Sequence, residues 1–262
     1  MNIVVCIKQV PDTTDVKIDP KTNTLIRQGV ASILNPFDTY AIEEAVQIKE
    51  KLGGKVTAIT MGPPQAEAVL REAISVGCDE GILVSDTAFA GADTLATSYT
   101  LSQAIKKIGD ADLILCGKQA VDGDTAQVGP GIAVYLDLPQ IIFVKKIQEI
   151  SKEKVVAERM TETGFDIVES SVPVLISVVK DINQPRLPSL RGKMTAKKAE
   201  IKTWTVNELD ANPEKLGLKG SPTWVDKVYT PPARPGGEIF QGEPEEVVDA
   251  FMKKAIENKL IP

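Results

Sequence analysis

Asp112-Leu113-Ile114-Leu115-Cys116-Gly117-Lys118-Gln119-Ala120-Val121-Asp122-Gly123-Asp124-Thr125-Ala126-Gln127-Val128-Gly129-Pro130-Gly131 is the stretch whose reading decides the fold. Its apolar run, Leu113 to Cys116, predicts a strand buried on both faces. A loop of small and polar residues follows, and then Val128, Ile132, Tyr135 and Leu136 recur at helical spacing. Asp124 or Thr125 is placed to cap that helix, and Pro130 is compatible with it only near the first turn. Strand, loop and helix N-terminus together gather free backbone N–H groups and the positive end of the helix macrodipole. That setting suits a phosphate or a pyrophosphate. On spacing alone, a purely structural strand-to-helix turn reads the same way.

The same rhythm runs upstream. Asn2 to Ile7 predicts a central first strand, with the loop Lys8 to Asp12 at its carboxyl end. Val16 to Asp19 and Thr24 to Arg27 flank Pro20-Lys21-Thr22-Asn23 and predict a surface hairpin. Asn35-Pro36 opens a helix as N-cap and first residue. Phe37, Ala41, Ala45, Ile48 and Leu52 form its inner stripe, and Gly53 ends it. Lys55 to Met61 is a second parallel strand, followed by Gly62-Pro63-Pro64 and a helix to about Val76. Glu80 to Ser85 is a third strand. After the small-residue loop Ala88 to Ala92, Asp93 caps a helix that buries Leu101, Ile105 and Ile108. Repeated units of this length predict an α/β fold: a doubly wound, mostly parallel, Rossmann-like sheet with ligands at the carboxyl ends of its strands.

After Pro139 the pattern changes. Ile141 to Ile150, Lys154 to Met160 and Asp166 to Ser170 predict an antiparallel, β-rich extension, which continues into a buried strand at Val174 to Val179. Thr195 to Ile201 is lysine-rich and reads as exposed. Proline and glycine accumulate from Pro213 to Glu243, a length without its own core that should lie on another surface. Glu245 to Leu260 is an amphipathic helix with Val248, Phe251, Ala255 and Ile256 on one side. The expected division is an α/β domain with its extension over residues 1–210 and a C-terminal arm over 211–262.

Composition narrows the chemistry. The 262 residues include no histidine, which excludes histidine-based triads and histidine-ligated metals, so neither a catalytic side chain nor a metal site is expected. Any redox work must be carried by a bound cofactor. Cys6, Cys78 and Cys116 lie in or beside apolar segments without CxxC pairing and read as reduced, buried thiols. A net charge of −6 argues against a nucleic-acid surface. No signal-peptide pattern or membrane-length apolar run is evident, so a soluble cytoplasmic protein is expected.

Gly117-Lys118-Gln119-Ala120-Val121-Asp122-Gly123-Asp124 resembles the signature of electron transfer flavoprotein β subunits. The likeness covers nearly the whole chain and includes Val5-Cys6-Ile7-Lys8-Gln9-Val10-Pro11-Asp12 and Asn35-Pro36-Phe37-Asp38. Neither Walker-type nor dinucleotide-fingerprint glycine spacing is present, so the family likeness supplies the specificity. It implies that the crevice holds an adenine nucleotide. Backbone around Cys6, the Lys8 loop and Met61 would frame the adenine, and Asn35 and Asp38 would contact base and ribose. Gln119, Val121, Asp122, Gly123, Asp124, Thr125, Ala126, Gln127 and Val128 would wrap the phosphates.

Gly91-Ala92-Asp93-Thr94-Leu95-Ala96-Thr97-Ser98 departs from the simpler members, which hold a structural AMP. It resembles the Gly-x-Asp-Thr-x-Ala-Thr segment of electron-bifurcating members, in which FAD occupies the site. Asp93, Thr94 and Thr97 would then serve a second phosphate, which FAD has and AMP lacks. The bland alternative is a simple capping sequence. Arg186 to Met194 falls where the family carries its partner-recognition loop, with Leu190 as apolar anchor and Arg191 on its charged rim.

The likeness further implies an α subunit with its own FAD, and NADH as hydride donor. Electrons would go to an acyl-CoA dehydrogenase or reductase, or a lactate dehydrogenase, and separately to ferredoxin or flavodoxin. The alternatives are a non-bifurcating β subunit with AMP and a nucleotide-binding stress-type module.

Overall fold

The computed structural model describes residues 1–12, 31–226 and 236–261. The hairpin expected over 16–27 lies outside them. The chain opens with β1 (Asn2–Cys6), a short antiparallel ribbon of β2 (Gln9–Pro11) and β3 (Ser32–Leu34), and helix α1 (Pro36–Leu52). Next come β4 (Lys55–Met61), α2 (Glu67–Ser75), β5 (Glu80–Val84), α3 (Thr94–Ile108), β6 (Leu113–Gly117) and α4 (Val128–Leu136). The β-rich part follows as β7 (Gln140–Ile150), β8 (Lys154–Met160), β9 (Phe165–Ser171) and β10 (Val174–Val178). Helix α5 (Leu190–Lys198), β11 (Lys202–Trp204) and α6 (Pro244–Glu257) follow among the described residues.

Nine strands form one sheet in the order β11-β5-β4-β1-β6-β10-β7-β8-β9. From β11 to β7 every neighbouring pair is parallel, and β7-β8-β9 is the expected antiparallel extension. The doubly wound α/β reading therefore holds. The central strands are apolar on both faces because helices cover both. Ile3, Val5, Leu113 and Leu115 pack on the α1 and α2 side. Val4, Ile114, Ile59 and Ile82 pack towards α3 and α4.

The topology fixes where a ligand can sit. The chain winds from β1 out to β4 and β5, then returns to place β6 on the other side of β1. Loops leaving β1 and β6 thus diverge to opposite faces, and the crevice at such a switch point is where doubly wound sheets bind ligands.

The expectations differ from the structure mainly after β10. Helix α5 starts at Leu190, ahead of the lysine run, capped by the Ser189 hydroxyl accepting from the Gly192 N–H. The Arg71 guanidinium of α2 donates to the Ala199 carbonyl just past its end, at 3.2 Å. Strand β11 was not expected. It extends the parallel sheet beside β5, pairing Lys202 with Ile82 and Trp204 with Val84. Leu209 and Leu216 are buried in the core on the α3 side, so the segment after β11 packs on the α/β body. The chain divides into two compact units, Met1–Lys227 and Val228–Pro262. In the second unit Phe240 packs edge-on against Phe251 of α6, and Ala255 is buried. Among the described residues, no helix is long and apolar enough to cross a membrane.

Candidate functional site

A pocket of about 500 Å³ opens at the switch point. Its walls come from the end of β1 and the segment after it (Cys6 to Pro11), the end of β4 and the segment after it (Met61 to Pro63), the segment after β5 (Phe89 and Gly91 to Thr94, with Thr97) and the end of β6 with the loop after it (Cys116 to Ala120, Asp122, Gly123 and Thr125 to Gly129). Asn35 and Asp38, at the start of α1, close the floor. Cys6, Lys8, Asn35, Asp38, Met61, Asp93, Thr94, Thr97, Gln119, Asp122, Gly123, Thr125, Ala126, Gln127 and Val128 all line this one pocket.

Val121 and Asp124 do not. Val121 turns its side chain outward, and its backbone N–H donates to Asn35 Oδ1 at 3.1 Å. Asp124 has left-handed backbone, and its carboxylate accepts from Gln119 Nε2 at 2.7 Å. Leu190 and Arg191 lie outside the pocket, exposed at the start of α5. Phe89, buried in a 3₁₀ turn after β5, is a lining residue that the sequence reading missed. Its signal was an aromatic residue within an otherwise small-residue loop.

The floor is a hydrogen-bonded clamp. Asn35 occupies the N-cap position of α1, yet its side chain makes no capping bond. It is 1% exposed, and its Nδ2 donates to Asp38 Oδ1 and to the Gln119 carbonyl, both at 2.9 Å. Asp38 Oδ2 in turn accepts from the Lys8 N–H at 2.7 Å. These bonds join the β1, α1 and β6 loops. Burial pushes the Asp38 carboxyl up to about 7, against the pull of hydrogen bonds from Asn35, Lys8 and Gly117. Burial first, and the Asp38 charge second, push the Cys6 thiol up to about 12. Cys6, Cys78 and Cys116 are all free and buried, as expected.

Two helices point their N-termini at this pocket. Asp93 caps α3, its Oδ1 accepting from the N–H groups of Leu95 at 2.9 Å and Ala96 at 3.1 Å. Helix α4 is different. Its N-cap residue is Gln127, which makes no capping bond, so Asp124 and Thr125 do not fill the capping role expected of them. Positive φ at Asp124 and Ala126 alternates the backbone just ahead of α4, the geometry that turns successive N–H groups into one concavity. Thr94 Oγ1 donates to Gln127 Oε1 at 3.1 Å and joins the two helix starts. Across the rim, Lys8 Nζ pairs with Asp122 Oδ1 at 2.6 Å. The donor set fits an anionic, phosphate-bearing ligand: helix-start and loop N–H groups, two threonine hydroxyls and one lysine.

The architecture is that of the doubly wound α/β class, in which binding happens at the switch-point crevice. A model of the electron transfer flavoprotein domain matches residues 22–209, and the chain belongs to that family. An electron transfer flavoprotein subunit beta from Thermoanaerobacterium thermosaccharolyticum is 52% identical over 255 residues, covering 97% of each chain. The caffeyl-CoA reductase-Etf complex subunit CarD of Acetobacterium woodii is 48% identical over the full length of both. The protein FixA of Azotobacter vinelandii is 46% identical, covering 97% of this chain and 94% of its own. The likeness read from Gly117 to Asp124 is borne out at the level of the family.

Proposed function

We propose that the chain is the β subunit of an electron-bifurcating electron transfer flavoprotein and that its pocket holds FAD. One observation carries the reading: α3 and α4 bring their N-termini to a single pocket, with Thr94 Oγ1 3.1 Å from Gln127 Oε1. The N–H-lined loop and uncapped start of α4 suit one phosphate, and the Thr94 and Thr97 hydroxyls of α3, whose first N–H groups Asp93 already holds, suit a second. AMP, the ligand of the non-bifurcating alternative, leaves one of the two unused. The residues lining the pocket would hold FAD, which would supply acceptance of a hydride from NADH and single-electron delivery to a flavin of the α subunit and to ferredoxin or flavodoxin.

The chain's own residues bind and orient. Thr94, Thr97 and the N–H groups of Thr125 to Val128 take the phosphates. Backbone near Cys6 and Met61 frames the adenine. Asn35 and Asp38 hold the loops in place from behind. No side chain here is assigned a proton-transfer role.

Partner surfaces lie elsewhere on the chain. Val248, Phe251 and Ile256 of α6 are more than half exposed and would pack on the α subunit. The arm therefore begins at about residue 228 in this reading, and removing 236–262 should stop co-purification with α. Leu190, 84% exposed, with Arg191 beside it, would engage a dehydrogenase in the cytoplasm. The relative named for a caffeyl-CoA reductase complex favours an acyl-CoA-type enzyme over a lactate dehydrogenase there.

The decisive experiment is to denature the purified complex and count released nucleotides. FAD in this chain in addition to the α-subunit flavin, without AMP, is the expected result. One FAD and one AMP per heterodimer would overturn bifurcation and leave the family membership intact.

A further inference from the structure

The pocket wall formed by Phe89 to Thr97 is held from behind by the last segment of the α/β body. Gly217 has a φ of +52°, and an added Cβ would come within 2.3 Å of the Ala88 carbonyl oxygen, so only glycine lets the backbone approach this closely. The next residue, Leu218, donates its N–H to the Ala90 carbonyl at 3.0 Å. Ser221 Oγ then accepts from the Asp93 N–H at 2.8 Å and donates to the Gly217 carbonyl at 2.7 Å. Thr223 finishes the contact. Its Oγ1 and its N–H both donate to Asp93 Oδ2, at 2.8 and 3.2 Å.

Asp93 thus divides its carboxylate between two tasks. Oδ1 caps α3 on the pocket side, and Oδ2 is held by Thr223 on the far side. Burial alone would raise this carboxyl, but hydrogen bonds from Ala96, Thr223 and Leu95 outweigh it and keep Asp93 below the usual aspartate range. The carboxylate is therefore ionised at neutral pH and has defined partners on both sides. With both oxygens engaged, Asp93 is an orienting group rather than a ligand contact.

We infer that Ser221 and Thr223 are positioning residues for the nucleotide pocket: by fixing Asp93, they fix the first turn of α3, where Thr94 and Thr97 face the ligand. This rests on the nucleotide reading of the pocket for its ligand and on the hydrogen bonds above for its mechanics. A ligand at the α3 N-terminus then orders the segment 217–223 as well, because the same carboxylate serves both sides. The chain that leads towards the second unit accordingly reports on occupancy of the pocket.

Thr223→Val keeps the shape and removes the hydroxyl donor, while Thr223→Ser retains it. Full-length proteins, stripped of bound nucleotide, are titrated with ADP and separately followed by amide hydrogen exchange. Thr223→Val is expected to weaken ADP binding by roughly tenfold, the usual consequence of losing a hydrogen bond to a charged group. It should also speed exchange at Leu95 and Ala96 by a similar factor, and Thr223→Ser should restore both. In the wild type, ADP should slow exchange across 217–223. If Thr223→Val binds ADP like the wild type, or leaves exchange at Leu95 and Ala96 unchanged, the inference is overturned. A lower melting temperature with unchanged affinity would assign the segment a structural role only. Should the wild type bind neither ADP nor FAD, while Thr223→Val still speeds exchange at Leu95 and Ala96, the nucleotide reading fails and the positioning role stands.

Discussion

Asn35 and Val121, 86 positions apart in the chain, meet at the pocket floor, where the Val121 N–H donates to Asn35 Oδ1 at 3.1 Å. Because Asn35 Nδ2 also donates to the Gln119 carbonyl, one buried amide holds both ends of a three-residue loop segment. An asparagine suits this position because it offers a donor and an acceptor on one short planar group. Asn35→Ala removes both and leaves part-buried backbone groups unpartnered. A loss of about 1–3 kcal/mol in unfolding free energy is expected. Local exchange at Gln119 to Gly123 should rise by more than the global loss explains. Denaturant melts with Asn35→Ala, read beside hydrogen exchange, check this; a uniform change across the chain would remove the clamp from the account.

Asp38 makes stability depend on pH in an unusual direction. Its folded-state carboxyl stands at about 7 against an ordinary 3.8, with burial as the main cause. Between those values the unfolded chain has released a proton that the folded chain retains. Stability from this group therefore falls as pH rises from about 4 to about 7, the reverse of a salt-bridged aspartate. Asp38→Asn cannot titrate and should flatten that part of the profile. Urea unfolding of both proteins at several pH values within the window is the measurement, and parallel profiles would refute the assignment.

If the loop before α5 engages the proposed dehydrogenase, docking there should separate from stability. Arg186 forks onto Glu43, with Nε at 2.9 Å from Oε2 and Nη2 at 3.0 Å from Oε1, and Glu43 is only 5% exposed. Arg186 also reaches Glu50 at 2.6 Å, which ties the loop to two turns of α1. Beyond this anchor Leu187 and Leu190 stand 89% and 84% exposed. Leu190→Ala should leave unfolding unchanged and weaken dehydrogenase docking by roughly 1–3 kcal/mol, the range of an interface hot spot. Arg186→Ala should lower both, since it leaves a buried carboxylate short of its partner. Unfolding midpoints and the KM for the dehydrogenase distinguish the two; equal destabilisation by Leu190→Ala would make the leucine a structural residue.

Much of this architecture is legible from the order of residues, for a physical reason. Buried on both faces, β4 falls at Lys55–Met61, the bounds that its apolar run predicts, and β8 falls at Lys154–Met160, where Val155 and Ala157 alternate with less buried residues. Strand β11 is only Lys-Thr-Trp, too short and too polar to show a pattern, and it exists because β5 offers an unpaired edge. After it, Leu209 and, inside the proline-rich stretch, Leu216 are isolated in the chain and so show no period, yet both are buried with Tyr99, Leu101 and Ile105 of α3. At the pocket, the loops expected at the strand ends do meet, but two capping roles differ. Asn35 and Asp124 both read as caps, yet Asn35 is drawn off by Val121, 86 positions away, and Asp124 by Gln119 within its own loop. Local propensity cannot anticipate such bonds.

The choice between FAD and AMP turns on the first turn of α3. Thr94 and Thr97 both line the pocket, and a three-residue spacing sets them on one face of the helix. In the structure Thr94 Oγ1 donates to Gln127, a bond that a phosphate at the same place would compete for. Thr94→Val with Thr97→Val keeps the volume nearly constant and removes both hydroxyls. Because Asp93 still caps the helix, the backbone should stay in place, so the loss falls on the ligand and not on the fold. Each hydroxyl bonded to a charged group is worth about 1.5–3 kcal/mol, enough to release a moderately held cofactor during purification. The double variant should therefore emerge with normal unfolding behaviour, with the α-subunit flavin still bound, and depleted of FAD in this chain. NADH-dependent reduction of ferredoxin should disappear with it. If the wild type carries AMP and the double variant keeps it, the α3 N-terminus does not hold a phosphate, and the pocket belongs to the simple electron-relay type.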